Sequence, residues 1–163
     1  MEKIREDTVL DLLFGAAINN PSKTYCKSIN HEFTYQQFIS AVIKLSSKIC
    51  QKQLKNEYIG VFLPNSILFL IAYFAVLISG NKPALLNFLL PENALGKLLG
   101  DLQPSLVLSK KELSEYECLT LEINDFIGIE QLDVKEINYS CIGDHVGAVL
   151  FSGGTTGIPK QIN

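Results

Sequence analysis

Residues 152–160 read Ser-Gly-Gly-Thr-Thr-Gly-Ile-Pro-Lys, and an apolar run, Val146-Gly-Ala-Val-Leu-Phe151, leads into them. Three glycines, three hydroxyl side chains and one lysine crowd into that short stretch. Glycine lets a backbone N–H approach an anion closely and permits positive φ. Successive amides in such a loop form a concave anion site, hydroxyls add donors, and a lysine adds a mobile positive charge. Ser152, Gly153, Gly154, Thr155, Thr156, Gly157 and Lys160 are therefore candidates for holding the phosphates of a nucleotide.

The loop is not a Walker P-loop, which needs Gly, four residues, then Gly-Lys-Ser/Thr opening a helix. With four residues between, the position after Gly153 that should be glycine is Ile158, and Pro159 precedes the lysine. The dinucleotide pattern Gly-x-Gly-x-x-Gly does not occur either. The bland alternative is a Gly/Thr surface turn after a strand, a common use of glycine.

The upstream sequence predicts the elements that must position this loop. Thr8 caps a first helix that ends near Asn19-Asn20-Pro21. Thr24–Ile29 and Glu32-Phe33 flank Asn30-His31 and read as a hairpin. Thr34 then opens a helix with Gln37 at the capping-box position, and Phe38, Val42, Leu45 and Ile49 share one apolar face. Tyr58–Leu63 is a short buried strand stopped by Pro64. Asn65 or Ser66 caps a helix over Ile67–Ile78, with Gly80 at C′ and Pro83 just beyond. Ala84–Leu86 is a second strand, Glu92–Leu102 a helix, and Ser105–Leu108 a third strand. Residues 109–142 are more polar and irregular, with a strand at Cys118–Leu121, and Val146–Phe151 closes the sheet. Apolar strands alternating with helices predict an α/β fold, a mostly parallel sheet covered on both faces, with a small N-terminal hairpin. Ligands of such sheets bind beyond the carboxyl ends of the strands, where the loop would lie.

The string Phe151-Ser-Gly-Gly-Thr-Thr-Gly-Ile-Pro-Lys160 resembles the phosphate-binding motif of the adenylate-forming enzymes: acyl-CoA synthetases, luciferases and the adenylation domains of peptide synthetases. Their usual form is Ser-Ser/Gly-Gly-Thr-Thr-Gly-x-Pro-Lys-Gly. Gly153 is an accepted variant, and Gln161 departs from the final glycine. Phe33-Thr-Tyr-Gln-Gln-Phe38 resembles the family's Leu-Thr-Tyr-x-Glu-Leu. Asn65–Asn87 resembles the helix, glycine and strand that end in Val-Pro-Leu-Asn. The similarity runs from about Leu10 to the end of the chain, and Pro-Ala-Leu-Leu-Asn-Phe88 is similar to the branch that makes acyl-carrier-protein thioesters and re-acylates lysophospholipids, a fatty-acid type.

The resemblance implies attack of a substrate carboxylate on the α-phosphate of Mg·ATP, then transfer of the acyl group to the thiol of CoA or an acyl-carrier protein. It assigns the β- and γ-phosphates to the Ser152, Thr155 and Thr156 hydroxyls and the Gly153, Gly154 and Gly157 amides, with Lys160 supplying charge. It places residues 1–163 as one domain, the N-terminal part of an AMP-binding domain. The catalytic residues and most of the acyl pocket are expected downstream of Asn163. The chain is thus expected to fold but not to catalyse alone, and to expose surface that favours self-association.

Bulk properties narrow the classes. The 163 residues suit a single core, and 47% hydrophobic with 19% charged residues is ordinary for a globular chain. A net charge of −3 without any Lys/Arg run argues against a general nucleic-acid binder. The longest apolar run, Ile67–Ile78, is well short of a transmembrane segment. Cys26, Cys50, Cys118 and Cys141 are scattered, which predicts free thiols, a cytoplasmic location and no structural metal. His31 and His145 lack neighbouring cysteines or carboxylates, Asp125, Asp133 and Asp144 lack paired spacing, and Tyr35 and Phe38 read as core. Two rivals stand beside the ligase: a non-catalytic nucleotide- or phosphate-binding α/β module, and a purely structural fragment.

Overall fold

A computed structural model describes residues 8–137, 148–152 and 160–162. The first helix, α1 (Val9–Asn19), starts at a capping box: the Thr8 hydroxyl accepts from the Asp11 N–H, and the Asp11 carboxylate accepts from the Thr8 N–H. The hairpin follows as β1 (Thr24–Lys27) and β2 (Glu32–Thr34), antiparallel, with Thr24 Oγ1 donating to Glu32 at 2.6 Å. Its last residue, Thr34, caps α2 (Tyr35–Cys50) through a second box with Gln37. The Thr34–Gln37 box was expected from the sequence, whereas of the first box only the Thr8 cap was; each satisfies amides that a helix start otherwise leaves without a partner.

The main sheet holds β3 (Tyr58–Phe62), β4 (Lys82–Leu85), β5 (Leu106–Ser109) and β6 (Cys118–Thr120), in the order β4-β3-β5-β6, all parallel. Between β3 and β4 runs α3 (Ile67–Ile78), capped by Ser66 and ended by Gly80 at φ 76°. Between β4 and β5 runs α4 (Glu92–Leu102), which ends on Gln103 in the left-handed region at φ 49°. The expected strands are present with edges shifted by one or two residues. Pro83 lies inside β4 rather than before it.

Alternation along the strands splits the core. Ile59, Val61, Leu63, Leu106 and Leu108 face α1, α2 and α3, whereas Phe62, Leu86 and Val107 face α4. The predicted face of α2 is borne out, since Phe38, Val42, Leu45 and Ile49 are all at 0% exposure. Phe38 lies between Tyr25 (4.4 Å between ring centroids) and Phe74 (5.8 Å), so it is core. Burying such side chains contributes about 1.5–3 kcal/mol each.

The polar stretch after β5 does more than its composition suggested. Short 3-10 turns at Ile123–Phe126 and Val134–Glu136 bury Phe126 and Val134 in the α2 side of the core. Polar ties hold the stretch there: Gln36 donates to the Leu132 carbonyl (3.0 Å), Leu132 N–H to Ser40 Oγ (2.9 Å) and Lys44 to the Asp125 carbonyl (2.7 Å). Asp125 and Asp133 serve these turns as local caps.

At the amino end of the sheet, Asn81 is 1% exposed and fully engaged. Its amide donates to Leu54 O, Ser79 O and Ser79 Oγ (3.0–3.3 Å), and its carbonyl accepts from the Glu57 N–H at 3.1 Å. These bonds lock the α3–β4 turn against the entry to β3. Removing one side of a buried network leaves the other side's groups without partners. Asn81→Ala should lower unfolding stability by about 2 kcal/mol in urea melts, and no measurable change would contradict this role.

Candidate functional site

Val149 joins the free edge of β4 in parallel, opposite Ala84. Its N–H donates to the Pro83 carbonyl at 2.8 Å, and its carbonyl accepts from the Leu85 N–H at 3.0 Å. The chain therefore runs toward the carboxyl edge of the sheet and continues as β7 (Leu150–Ser152). A return strand, β8 (Lys160–Ile162), pairs antiparallel with β7, with Ser152 opposite Lys160, Phe151 opposite Gln161 and Leu150 opposite Ile162.

The predicted closing strand thus exists at Val149–Ser152, and Val146 and Gly147 lie outside the described residues. Of the candidate phosphate ligands, Ser152 and Lys160 face each other across the base of a hairpin. Gly153, Gly154, Thr155, Thr156 and Gly157 lie outside the described residues, as do His145, Asp144 and Cys141. The return strand had no sequence signal of its own, because Lys160–Ile162 is only three residues long and has no further alternation to read.

Side-chain packing ties the hairpin stem to the body. Val149 is 1% exposed, and Phe151 packs against the α4 side with Phe62, Leu86 and Val107. Beside the stem, the carboxyl ends of β3 and β4 frame a cavity of about 240 Å³, lined by Leu63, Phe69, Leu86 and Phe88 with Asn65 and Asn87 at its rim. Asn87 Oδ1 accepts from the Leu89 N–H at 2.9 Å, fixing the turn that leaves β4. A larger hollow of about 450 Å³ lies between α4 and residues 112–116. Glu92, Glu112 and Glu115 line it, so its negative potential opposes a phosphate and points away from nucleotide binding there.

Residues 13–162 match the family model described as AMP-binding enzyme. The chain belongs to the AMP-binding enzyme family. Among curated relatives it is 26% identical over 160 residues to the D-alanine–D-alanyl carrier protein ligase of Lactococcus lactis, covering 94% of this chain and 32% of that protein. It is 23% identical over 151 residues to a nonribosomal peptide synthetase of Aspergillus flavus, covering 88% of this chain and 15% of that protein. The chain therefore spans a third or less of the length of these relatives.

Among solved structures, it superimposes on o-succinylbenzoate coenzyme A synthetase of Bacillus subtilis in complex with AMP, with a TM-score of 0.72 and 20% identity, over 92% of this chain and 40% of that one. It matches VinN in complex with 3-methylaspartate with a TM-score of 0.74 and 18% identity, over 93% of this chain and 45% of that one. These likenesses establish the fold: the parallel four-stranded sheet flanked by helices of adenylate-forming enzymes.

The clear departures in acidity lie away from this edge. Burial pushes the Cys26 thiol up to about 11 and raises Tyr25 and Tyr73. Burial also raises Cys118, partly offset by a hydrogen bond from the Leu113 backbone. Cys26, Cys50 and Cys118 are free thiols, and among the described residues no three His, Cys, Asp or Glu side chains gather to hold a metal. No described helix is long and apolar enough to cross a membrane.

A raised thiol pKa means less thiolate, the reactive form, at a given pH. At pH 8 about one Cys26 thiol in a thousand is ionised. Iodoacetamide at that pH should modify exposed Cys50 at least about tenfold faster than Cys26, as read by peptide mapping. Equal rates would contradict the half-buried placement of Cys26.

Proposed function

We propose that the protein containing this chain is an ATP-dependent ligase that adenylates a carboxylic acid and passes the acyl group to a thiol. A carboxylate oxygen attacks the α-phosphorus, the bond to the β-phosphate oxygen breaks, and pyrophosphate leaves. The thiol sulfur then attacks the acyl carbonyl, and AMP leaves. Negative charge accumulates on pyrophosphate as the first step proceeds, so donors fixed around the β- and γ-phosphates stabilise the transition state more than the ground state.

The observation that supports this reading is the backbone pairing of Ser152 with Lys160, the two ends of the hydroxyl- and glycine-rich sequence, on a strand that leaves the edge of β4 at Val149. In this reading the Ser152, Thr155 and Thr156 hydroxyls and the Gly153, Gly154 and Gly157 amides hold the two outer phosphates, and Lys160 neutralises the leaving group. Magnesium would enter with ATP. Among the described residues no three His, Cys, Asp or Glu side chains gather to hold it.

The relatives named above act on different acids, and none of their names specifies a fatty acid. A carrier-protein thiol is supported by the D-alanyl carrier protein ligase and CoA by the o-succinylbenzoate synthetase. The fatty-acid assignment rests only on the wording of residues 83–88. A non-catalytic nucleotide- or phosphate-binding α/β module is the second reading.

Carboxylate-dependent ATP–pyrophosphate exchange separates the two readings. In the intact protein, screening acids from D-alanine and aryl acids to long-chain fatty acids should find one that supports exchange. Thr155→Ala or Lys160→Ala should slow it by about 100-fold. An intact protein that binds ATP yet exchanges with no acid would favour the binding module, and unaltered exchange in both variants would remove the loop from the site.

A further inference from the structure

The connection after β6 passes from one edge of the sheet to the other. It leaves Thr120 at one end of the order β4-β3-β5-β6, and Val149 pairs beyond the opposite end, alongside β4. Residues 122–137 belong to that crossing, and Val134–Glu136 rests against both α1 and α2. Among the described residues, 122–137 exchange no backbone hydrogen bond with another element. The N–H groups of Asp125, Ile127, Glu136 and Ile137 close turns within the stretch itself.

Its polar ties come from one face of α2. Gln36, Ser40 and Lys44 are four residues apart, so their side chains line up along the helix. Gln36 donates to the Leu132 carbonyl (3.0 Å), Ser40 Oγ accepts from the Leu132 N–H (2.9 Å), and Lys44 donates to the Asp125 carbonyl (2.7 Å). Ser40 is the middle rung, 2% exposed, and its hydroxyl also donates to the Gln36 carbonyl at 2.8 Å. Phe126 and Val134 are buried plugs, and an exposed Lys110–Glu122 ion pair (3.8 Å) stands at the root. Detaching the stretch breaks these side-chain ties and uncovers the plugs, but it opens no α-helix and no strand ladder. Segments fastened in that way open at less cost than the whole fold.

We propose that residues 122–137 are a latched strap that lifts from α1 and α2 as a unit while the sheet stays folded, with Ser40 as its latch. Lifting uncovers the apolar flank of α1 and α2 beneath Val134 and frees chain between the two edges of the sheet. Ser40→Ala releases the latch without weakening α2, because alanine is the better helix former. The strap does not depend on the function proposed above.

Trypsin acting on the intact protein without denaturant reads the strap through Lys135. That residue is exposed, but it lies in a 3-10 turn anchored by buried Val134, and a protease needs an extended chain. When reclosing outruns cutting, the cleavage rate follows the open population. Cleavage after Lys135, followed by mass spectrometry, should precede cuts after Lys44 in α2 and Lys97 in α4. Ser40→Ala should speed it by about three- to tenfold, the worth of one hydrogen bond. Asn81→Ala, which loosens the amino end of the sheet, should leave it unchanged. Gln36→Ala deletes the neighbouring rung and reads the same latch should Ser40→Ala fail to fold. Equal acceleration by Asn81→Ala would show that cutting follows global unfolding, and would overturn the proposal. A rate indifferent to both α2 substitutions would mean that the turn frays alone, and would overturn it too, as would no cut at Lys135 ahead of the others.

Discussion

Everything in this fold hangs on β3. It is the strand paired on both edges within the run β4-β3-β5, and both its faces are covered. A parallel strand in that position must satisfy its backbone groups through its neighbours and bury side chains above and below. Tyr58-Ile-Gly-Val-Phe62 meets both demands: Ile59 and Val61 enter the three-helix side, and Phe62 enters the α4 side. Gly60 leaves room where Leu86 crosses, since a Cβ there would come within 3.2 Å of the Leu86 side chain. With β3 fixed, β4 takes a defined height beside it, and the outer edge of β4 fixes Val149 and the hairpin that follows.

The two faces are covered unequally. One carries α1, α2, α3 and the two short turns, while the other carries α4 with residues 113–118. Near the carboxyl edge, Leu89 is 86% exposed and Leu150 51%. The chain covers 40–45% of the related structures it superimposes on, and this apolar rim lies beside the hairpin that carries the candidate loop. The strongest anchoring is thus remote from the candidate site, at Asn81 and along α2. The elements nearest the site are short strands and turns.

Most of the fold could be read from local rules. Thr8 caps α1 and Thr34–Gln37 forms a capping box in sequence and in structure, Gly80 ends α3 with positive φ, and the apolar face of α2 is buried as its spacing requires. What escaped was non-local. Residues 123–137 look polar because only Phe126 and Val134 are fully buried, with Ile123, Ile129 and Ile137 packed partly against the core, and the bonds that seat them come from α2, some ninety residues away in the chain. The return strand β8 is too short to show a period. The place of Pro83 within β4 depends on which edge of the strand meets a partner, and a one-dimensional pattern does not carry that information. The candidate loop is singled out by residue chemistry alone, hydroxyls, glycines and a lysine at fixed spacing, and the structure adds the backbone pairing of Ser152 with Lys160 at its two ends.

The central claim is that residues 152–160 hold the phosphates of ATP. Backbone amide chemical shifts recorded while Mg·ATP is titrated into isotopically labelled protein test it most directly. The account predicts that the largest changes fall on Ser152, Gly153, Gly154, Thr155, Thr156 and Gly157, and that inorganic pyrophosphate reproduces them. Saturable binding whose largest shifts fall instead around Glu92, Glu112 and Tyr116, or anywhere outside residues 149–162, would contradict it.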